Sequence, residues 1–260
     1  NGTITSSNLP VQVLDANGSP FTGISEVSAG YEHSVFLKAN GTVWTCGLNF
    51  HGQLGDLNNT NRSFPVQVLN QSGSPFEEVT AIETGRYHTV FIKSDGTAYG
   101  CGFNGFGNLA IGTSGASTNK NYPVQATMSG GSPITGVVKV ASGGEVSKSH
   151  SLFLNASGTV FAAGKNDLGQ LGDGTTNQRN NPVPVLHDAG TPVPFAQVSI
   201  KATATGDKHT VYLMGDGTVL ALGYNGYGRL GDGTTTDRTY PVQVLDGSGN
   251  PLTGVVGISA

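Results

Sequence analysis

Four landmarks recur in the same order along the chain, and this internal repeat limits the possible folds more than any other feature of the sequence. A Pro opens each unit, as in Pro10-Val-Gln-Val-Leu and Pro65-Val-Gln-Val-Leu, and successive units begin 55 to 59 residues apart. The other landmarks are a His before Ser or Thr and an apolar run, a turn Gly, and an Asn in a Gly-x-Asn sequence. A period of this length predicts stacked supersecondary units that bury their apolar faces against one another.

The landmarks divide a single repeat domain, residues 1–260, into units at about 10–64, 65–122, 123–181 and 182–240, with a partial unit at 241–260. Each unit is predicted to contain four short strands, of which the first is the Val-Gln-Val-Leu run after the Pro. Dipeptides of the Asn-Gly and Asp-Gly kind favour type I′ hairpins, in which both central residues have positive φ. Such turns are expected between the third and fourth strands, at Asn40-Gly41, Asp95-Gly96, Ser157-Gly158 and Asp216-Gly217.

Four short antiparallel strands in each unit match the size of a β-propeller blade. We therefore predict an all-β fold with four full blades and a half blade, as part of a larger propeller or of one completed by a second chain. Gly is abundant, at 40 of 260 residues, and charged residues make up 12%, which is well below the usual quarter. This composition is typical of short strands and tight turns.

Charge and motifs exclude several classes of function. The net charge of −4 does not predict nucleic-acid binding, and no apolar run is long enough to insert into a membrane. The sequence contains no Gly-x-Ser-x-Gly, phosphate-binding loop or His-Glu-x-x-His, which are the motifs of common hydrolases, nucleotide-binding proteins and metalloproteases. We predict that the chain is not an enzyme and has no catalytic residue, cofactor or metal.

The repeated His and Asn residues are predicted to be structural. Equivalent residues around a propeller axis are too far apart to share one metal ion, and their neighbours are not consistently metal ligands. Each imidazole is expected to bond to backbone in the adjoining loop. These residues are His33, His88, His150 and His209, with Asn49, Asn104, Asn166 and Asn225.

A basic residue stands three positions before the Pro that follows every full unit, at Arg62, Lys120, Arg179 and Arg238. Two interpretations are open. Each residue could pair with a nearby carboxylate, such as Asp56, Asp173 or Asp232, and order its loop. Alternatively, the four could form a positive rim that binds an acidic partner or a glycan. The insertion in the third repeat adds Glu145 and Lys148 to these candidate partner-binding residues.

One motif carries a family resemblance. The sequence Gly-Lys-Asn-Asp-Leu-Gly-Gln-Leu-Gly-Asp-Gly-Thr at 164–175, its counterpart at 223–234, and the preceding Gly-x-x-His-[Ser/Thr] resemble the repeat of the regulator of chromosome condensation family. The Asp-Gly-Thr-Thr loop is similar to the bacterial, alpha-tubulin-suppressor-like branch. The resemblance covers the whole chain and implies a propeller, usually of seven blades, that serves as a binding scaffold. The second repeat departs from the motif because it lacks Leu-Gly-Asp.

We expect a non-enzymatic scaffold for protein interactions, secreted or on a bacterial cell surface, with a protein or a glycan as its partner. An alternative is a subunit of an extracellular assembly or filament, in which chains associate by pairing their terminal strands. A third reading, implied by the family, is a guanine-nucleotide exchange factor for a small GTPase. The insertions here add only three or four residues, which is shorter than the wedge of exchange-active members.

Overall fold

The structure is a computed structural model that describes residues 2–144, 148–188, 191–192 and 200–260. Its strands form four antiparallel sheets of four strands, in which sequence neighbours pair in order. The sheets contain β1 (Ile24–Ala29), β2 (His33–Lys38), β3 (Val43–Gly47) and β4 (Arg62–Gln67); β5 (Val79–Thr84), β6 (His88–Lys93), β7 (Ala98–Gly102) and β8 (Lys120–Gln125); β9 (Val137–Gly143), β10 (His150–Asn155), β11 (Val160–Gly164) and β12 (Arg179–Pro184); and β15 (Ile200–Thr205), β16 (His209–Met214), β17 (Val219–Gly223) and β18 (Arg238–Gln243).

Little else in the described ranges is regular secondary structure. A small hairpin, β13 (Leu186–Asp188) with β14 (Thr191–Pro192), connects the third and fourth sheets. Two single turns of 3-10 helix occur at Ala116–Thr118 and Gly226–Gly228. The part of the chain that the structure describes contains no α-helix, and hence no helix that could cross a membrane. The prediction of an all-β fold with four-stranded blades is confirmed.

The predicted order of strands within a unit is wrong by one strand. The run that contains Pro65 is the last strand of the first sheet, because Arg62 pairs with Gly47 and Gln67 pairs with Trp44. Pro65 lies where the register between β3 and β4 shifts, so its missing N–H costs the ladder little. The same shift recurs in the other three sheets. Each sheet therefore spans the boundary between two of the sequence units 10–64, 65–122, 123–181, 182–240 and 241–260.

The hairpin turns lie where they were predicted, but their type differs. Gly41 has a φ of 80°, and its N–H donates to the Lys38 carbonyl. Asn40 is not among the described non-Gly residues with positive φ. Only the second residue of the dipeptide is left-handed, which indicates a type I turn closed by a Gly bulge rather than type I′. The turns at Gly96, Gly158 and Gly217 share this arrangement.

The sheets pack face to face around their innermost strands, and β5 contacts both β1 and β9, which in turn contacts β15. The second strands of the two middle sheets, β6 and β10, present one apolar face to each neighbouring sheet. In β10, Leu152 faces Tyr212 of the fourth sheet, while Phe153 packs against Val90 of the second. This two-sided burial explains why the second strands are continuous apolar runs. Because β1, β5, β9 and β15 pack side by side, the described turns between first and second strands, at residues 30–32, 85–87 and 206–208, lie at one end of the stack.

Candidate functional site: the loop face

One end of the four sheets carries the loops that we name the loop face. It comprises the turns between first and second strands, at residues 30–32, 85–87 and 206–208, and the beginnings of the loops after the third strands, at 48–53, 103–108, 165–170 and 224–229. Backbone hydrogen bonds join the two kinds of loop, for example Leu48 N to Glu32 O at 2.7 Å and Phe103 N to Tyr87 O at 2.8 Å. The loop face is therefore a fixed surface.

A row of aromatic and cationic side chains crosses the loop face over the first three sheets, and we name it the aromatic band. The Arg86 guanidinium lies 3.7 Å from the centre of the Tyr31 ring. The Tyr31 and Tyr87 rings are 6.0 Å apart, and His51 lies 5.3 Å from Tyr87. The band consists of Tyr31, Phe50, His51, Arg86, Tyr87, Phe103, Phe106 and Lys165.

Two members of the aromatic band are largely open to solvent. Phe50 is 73% exposed and Tyr31 is 59% exposed. Their neighbours fix them in place, since Phe50 packs edge-on against His51 with 5.0 Å between ring centres. Large exposed rings held in one orientation lose little side-chain entropy when a partner binds. The aromatic band therefore has the properties of an interaction surface.

A depression of about 510 Å³ opens at the centre of the loop face, between turns from all four sheets. Arg86 and Arg229 both line it. The Arg229 guanidinium lies 4.5 Å from the centre of the Tyr224 ring, so both arginines stack on a tyrosine. Tyr227, next to Arg229 in the fourth sheet, is 94% exposed. Aromatic and arginine side chains thus continue around the depression.

The repeated His residues join neighbouring sheets. His33 Nε2 lies 3.0 Å from Thr89 Oγ1, and Thr89 Oγ1 in turn donates to Gln53 O at 2.8 Å. Because the hydroxyl proton is used on the carbonyl, the imidazole must donate through Nε2–H. Burial lowers the pKa of His33 to about 4, so this imidazole is neutral at pH 7. His33 and His88 therefore bond to a hydroxyl of the next sheet, not to loop backbone as predicted. Of the predicted contacts with backbone in the adjoining loop, one is found at His150, whose Nδ1 lies 3.3 Å from Lys148 O.

The repeated Asn residues organise the loops after the third strands. Asn166 Nδ2 donates to Asp173 Oδ1 at 2.9 Å, and Asn166 Oδ1 accepts from the Leu171 N–H at 2.9 Å. Asn49 and Asn225 make the same two kinds of bond. In the second repeat, Asn104 still accepts from a backbone N–H but donates to Thr113 O and Thr118 Oγ1.

Three of the four repeated basic residues are held in ion pairs within their own loops. Arg179 Nε lies 2.6 Å from Asp173 Oδ2. Burial raises the pKa of Asp173, but hydrogen bonds from Thr175 and Arg179 outweigh it and hold that pKa below its ordinary value. Arg62 pairs with Asp56 and Arg238 with Asp232 in the same way. This geometry matches the first interpretation, in which each basic residue pairs with a carboxylate of its own loop. A role of these arginines in partner binding stays a prediction.

The other predicted partner-binding residues have different surroundings. Lys120 makes no ion pair with a described carboxylate and lines a groove on the outer side of the second sheet. Lys148 forms an ion pair with Asp167 on the loop face. Glu145 lies outside the described residues. Among the residues that are described, no group of three or more His, Cys, Asp and Glu side chains could hold a metal ion.

The aromatic band was missed by the sequence prediction. Its members come from equivalent loops, because Tyr31 and Tyr87 stand just before the repeated His, and Phe50 follows a repeated Asn. Aromatic residues at loop positions beside the landmarks were the signal that could have revealed it.

The fold and the loop face define a class of protein: a propeller-type repeat protein whose loops cluster at one end of its four-stranded sheets. Models of the regulator of chromosome condensation (RCC1) repeat match residues 40–92, 95–151, 157–213 and 216–260, and a second model of this repeat matches 24–53, 79–108 and 200–229. The chain belongs to the RCC1 repeat family.

Several relatives and solved structures are similar to this chain. The ultraviolet-B receptor UVR8 of Arabidopsis thaliana is 29% identical over 85% of this chain and 46% of its own length. The probable E3 ubiquitin-protein ligase HERC4 of Mus musculus is 33% identical over 85% of this chain and 19% of its length. The structure of human WBSCR16 aligns over 87% of this chain and 54% of its own chain, with a TM-score of 0.69 and 25% identity. The structure of Prp20p of Saccharomyces cerevisiae aligns over 93% of this chain and 57% of its own chain, with a TM-score of 0.70 and 18% identity. The chain spans less than half of these two curated relatives, and the likeness to Prp20p concerns the fold.

Proposed function

We propose that this chain is a non-enzymatic scaffold that binds a protein partner through the aromatic band of its loop face. The observation that carries the proposal is the stack of Arg86 on Tyr31, 3.7 Å away, in the same aromatic band as the exposed ring of Phe50. Tyrosine and arginine are enriched among the residues that dominate binding energy at protein interfaces. A solved structure of the same fold, yeast Prp20p, binds the proteins Gsp1p and histones.

The proposal is tested by capture of partners on the purified chain and on a variant with Tyr31→Ala, Phe50→Ala and Arg86→Ala. Proteins that bind the wild type are identified by mass spectrometry, purified, and titrated against both forms. The partner is expected to bind the triple variant at least a hundredfold more weakly, because rigid aromatic and arginine contacts each contribute about 1 kcal/mol or more.

The matched control replaces two exposed apolar residues away from the loop face, Val138 and Val256, by Ala. They are 51% and 83% exposed, so their loss also reduces exposed apolar surface without touching the aromatic band. Equal loss of binding in the control and the triple variant would contradict the proposal, as would a partner whose affinity is unchanged by all five substitutions.

We further propose that the scaffold acts outside the cell or at a cell surface. Support comes from composition, since only 12% of the residues are charged. Fractionation of cells that express the native gene, with immunodetection of the loop face on intact cells and in the medium, tests this location. Detection confined to the cell interior would refute it.

A further inference from the structure

The second repeat breaks the pairing of its basic residue. Ile111 occupies the position that is Asp56, Asp173 or Asp232 in the other three repeats, seven residues after the repeated Asn. The basic residue is Lys120 instead of Arg, and it faces no described carboxylate at ion-pair distance. Because the other repeats neutralise this cation internally, the second repeat alone leaves it available to an external anion.

Lys120 lines a groove of about 390 Å³, a size in the usual range of about 300–1,000 Å³ for small-molecule sites. We name it the Lys120 groove and define it by the residues used below: Glu77, Lys93, Tyr99, Lys120, Tyr122 and Gln125. Tyr99 and Gln125 are direct partners in the ladder between β7 and β8, and Lys120 begins β8. The groove is thus built on paired strands, which hold its side chains at fixed positions.

The side chains of the Lys120 groove combine aromatic rings with cations. Tyr99 and Tyr122 are half-buried, and Tyr99 packs edge-on against the buried Phe76 ring at 5.2 Å. Lys93 Nζ lies 5.0 Å from the centre of the Phe76 ring and 3.5 Å from the exposed Glu78 carboxylate. The lining therefore contains a second ammonium group, that of Lys93, and Glu77 is its acidic residue.

Within the described ranges, only the second of the four repeats combines an unpaired basic residue with a second lysine and two tyrosines at these positions. The positions of Lys93, Tyr99 and Tyr122 are occupied by Asn155, Phe161 and Asn181 in the third repeat, and by Met214, Leu220 and Tyr240 in the fourth. The first repeat has Lys38, Trp44 and Phe64, but its basic residue Arg62 is paired with Asp56. A difference confined to one of four equivalent positions is not required by the shared fold.

We propose that the Lys120 groove binds one anionic sugar unit, of the uronic acid class, within an acidic polysaccharide. Its carboxylate pairs with the Lys120 ammonium, its ring packs on the partly open tyrosine rings, and its hydroxyls bond to the Gln125 amide and the phenols. Aromatic rings can pack against the face of a sugar ring, and an amide can bond to its hydroxyls. An acidic peptide would use only the ammonium groups, so the lining suits a saccharide better. This site is separate from the loop face and does not depend on the function proposed there.

The test is a titration of the whole chain with trigalacturonate, followed by amide NMR and calorimetry, to millimolar concentration. Binding is expected to shift amide signals of β7 and β8, whereas neutral galactotriose leaves them unchanged. Lys120→Gln is expected to weaken binding at least tenfold. Ile111→Asp, which supplies the missing carboxylate without altering the groove, is expected to weaken it by a similar factor.

Lys38→Gln is the matched control, because Lys38 occupies the position of Lys93 in the first repeat and is expected to leave binding unchanged. Thermal unfolding verifies that every variant is folded, and if Ile111→Asp fails to fold, Lys120→Gln decides the outcome. The proposal is overturned if trigalacturonate produces no shifts, if Lys120→Gln binds it as the wild type does, or if hexaglutamate binds the groove as tightly.

Discussion

The Nε2 atom of His88 lies 3.0 Å from the Oγ atom of Ser151 and joins the second sheet to the third. Ser151 Oγ donates its own proton to Asn108 O at 2.8 Å, so the imidazole is the donor of the bond between the sheets. His150 Nε2 lies 3.3 Å from Thr210 Oγ1 in the next interface, where the single N–H of the neutral ring serves either this contact or the one from Nδ1 to Lys148 O. A repeated imidazole therefore connects each described blade to its successor at a buried position.

Replacing His88 with Ala is expected to lower the free energy of unfolding by about 1–3 kcal/mol, because the hydroxyl loses a buried partner and a cavity remains. The same loss is expected for His150→Ala. Urea unfolding of His88→Ala, Ser151→Ala and the double variant provides the measurement. The two losses should not add, since either substitution removes the same bond. Strict additivity would contradict the assignment of this bond.

Stability is expected to fall as the pH drops below about 6.5, because buried imidazoles resist protonation. Burial lowers the pKa of His88 to about 3, with a smaller contribution from His33 and His150, and lowers that of His150 to about 4. In the unfolded chain these groups have a pKa of about 6.5. Between the two values the unfolded chain binds more protons, so the free energy of unfolding decreases with decreasing pH.

The urea midpoint between pH 7.5 and pH 4.5 measures this dependence. His88→Ala removes one of the groups and is expected to flatten the curve in that window, whereas the difference in stability between the two proteins should be constant above it. A variant with the same pH slope as the wild type would contradict the role of His88.

The acidic residue Glu83 is expected to act in the opposite direction. It lines a cavity of about 210 Å³ between the innermost strands, together with Glu26. Burial, and then the Glu26 carboxylate, raise the pKa of Glu83 from 4.5 to about 7. Its contribution to stability is therefore complete below pH 4.5 and is lost as the pH rises through 7.

Glu83→Gln is expected to raise the free energy of unfolding at pH 8, by on the order of 1–2 kcal/mol after allowance for solvent screening. At pH 4 the two proteins should be equally stable, because Glu83 is then protonated. Thermal and urea unfolding at both pH values provide the test, with the exposed Glu32→Gln as control. Stabilisation of equal size at pH 4 would show that a cause other than charge is responsible.

Repeat landmarks predicted the blades because they are local. A turn Gly such as Gly41 and an apolar run such as that of β2 determine a hairpin without reference to distant residues. Local landmarks could not predict which four strands form one sheet. The strand that contains Pro65 can equally begin one unit or end another, and the pairing of Arg62 with Gly47 that decides between them joins residues 15 positions apart.

The candidate site was harder to predict than the fold. Arg86 and Tyr31 come from successive repeats, and their contact depends on how two sheets pack. The ion pair between Arg179 and Asp173 was one of two readings, since the sequence places them six residues apart without giving their orientation. The Lys120 groove depends on a departure from the repeat at Ile111. The sequence shows the missing motif, but the groove is formed by segments that come together only in the folded sheet.

The Gly that precedes each repeated Asn is expected to tolerate no side chain. At Gly102, which has a φ of 99°, a Cβ atom would lie 2.4 Å from Tyr87 O and 2.9 Å from His88 Cα. At Gly131, with a φ of 87°, a Cβ atom would meet nothing within 4 Å. Both substitutions by Ala place an L residue in the left-handed region, at a cost of about 1–2 kcal/mol. Gly102→Ala adds a backbone clash that nothing flexible can relieve, and a total loss of about 3–5 kcal/mol is expected. Urea unfolding of the two variants separates the cost of the left-handed backbone from the cost of the steric clash. Equal losses in the free energy of unfolding would show that β6 and β7 can move apart to admit the methyl group.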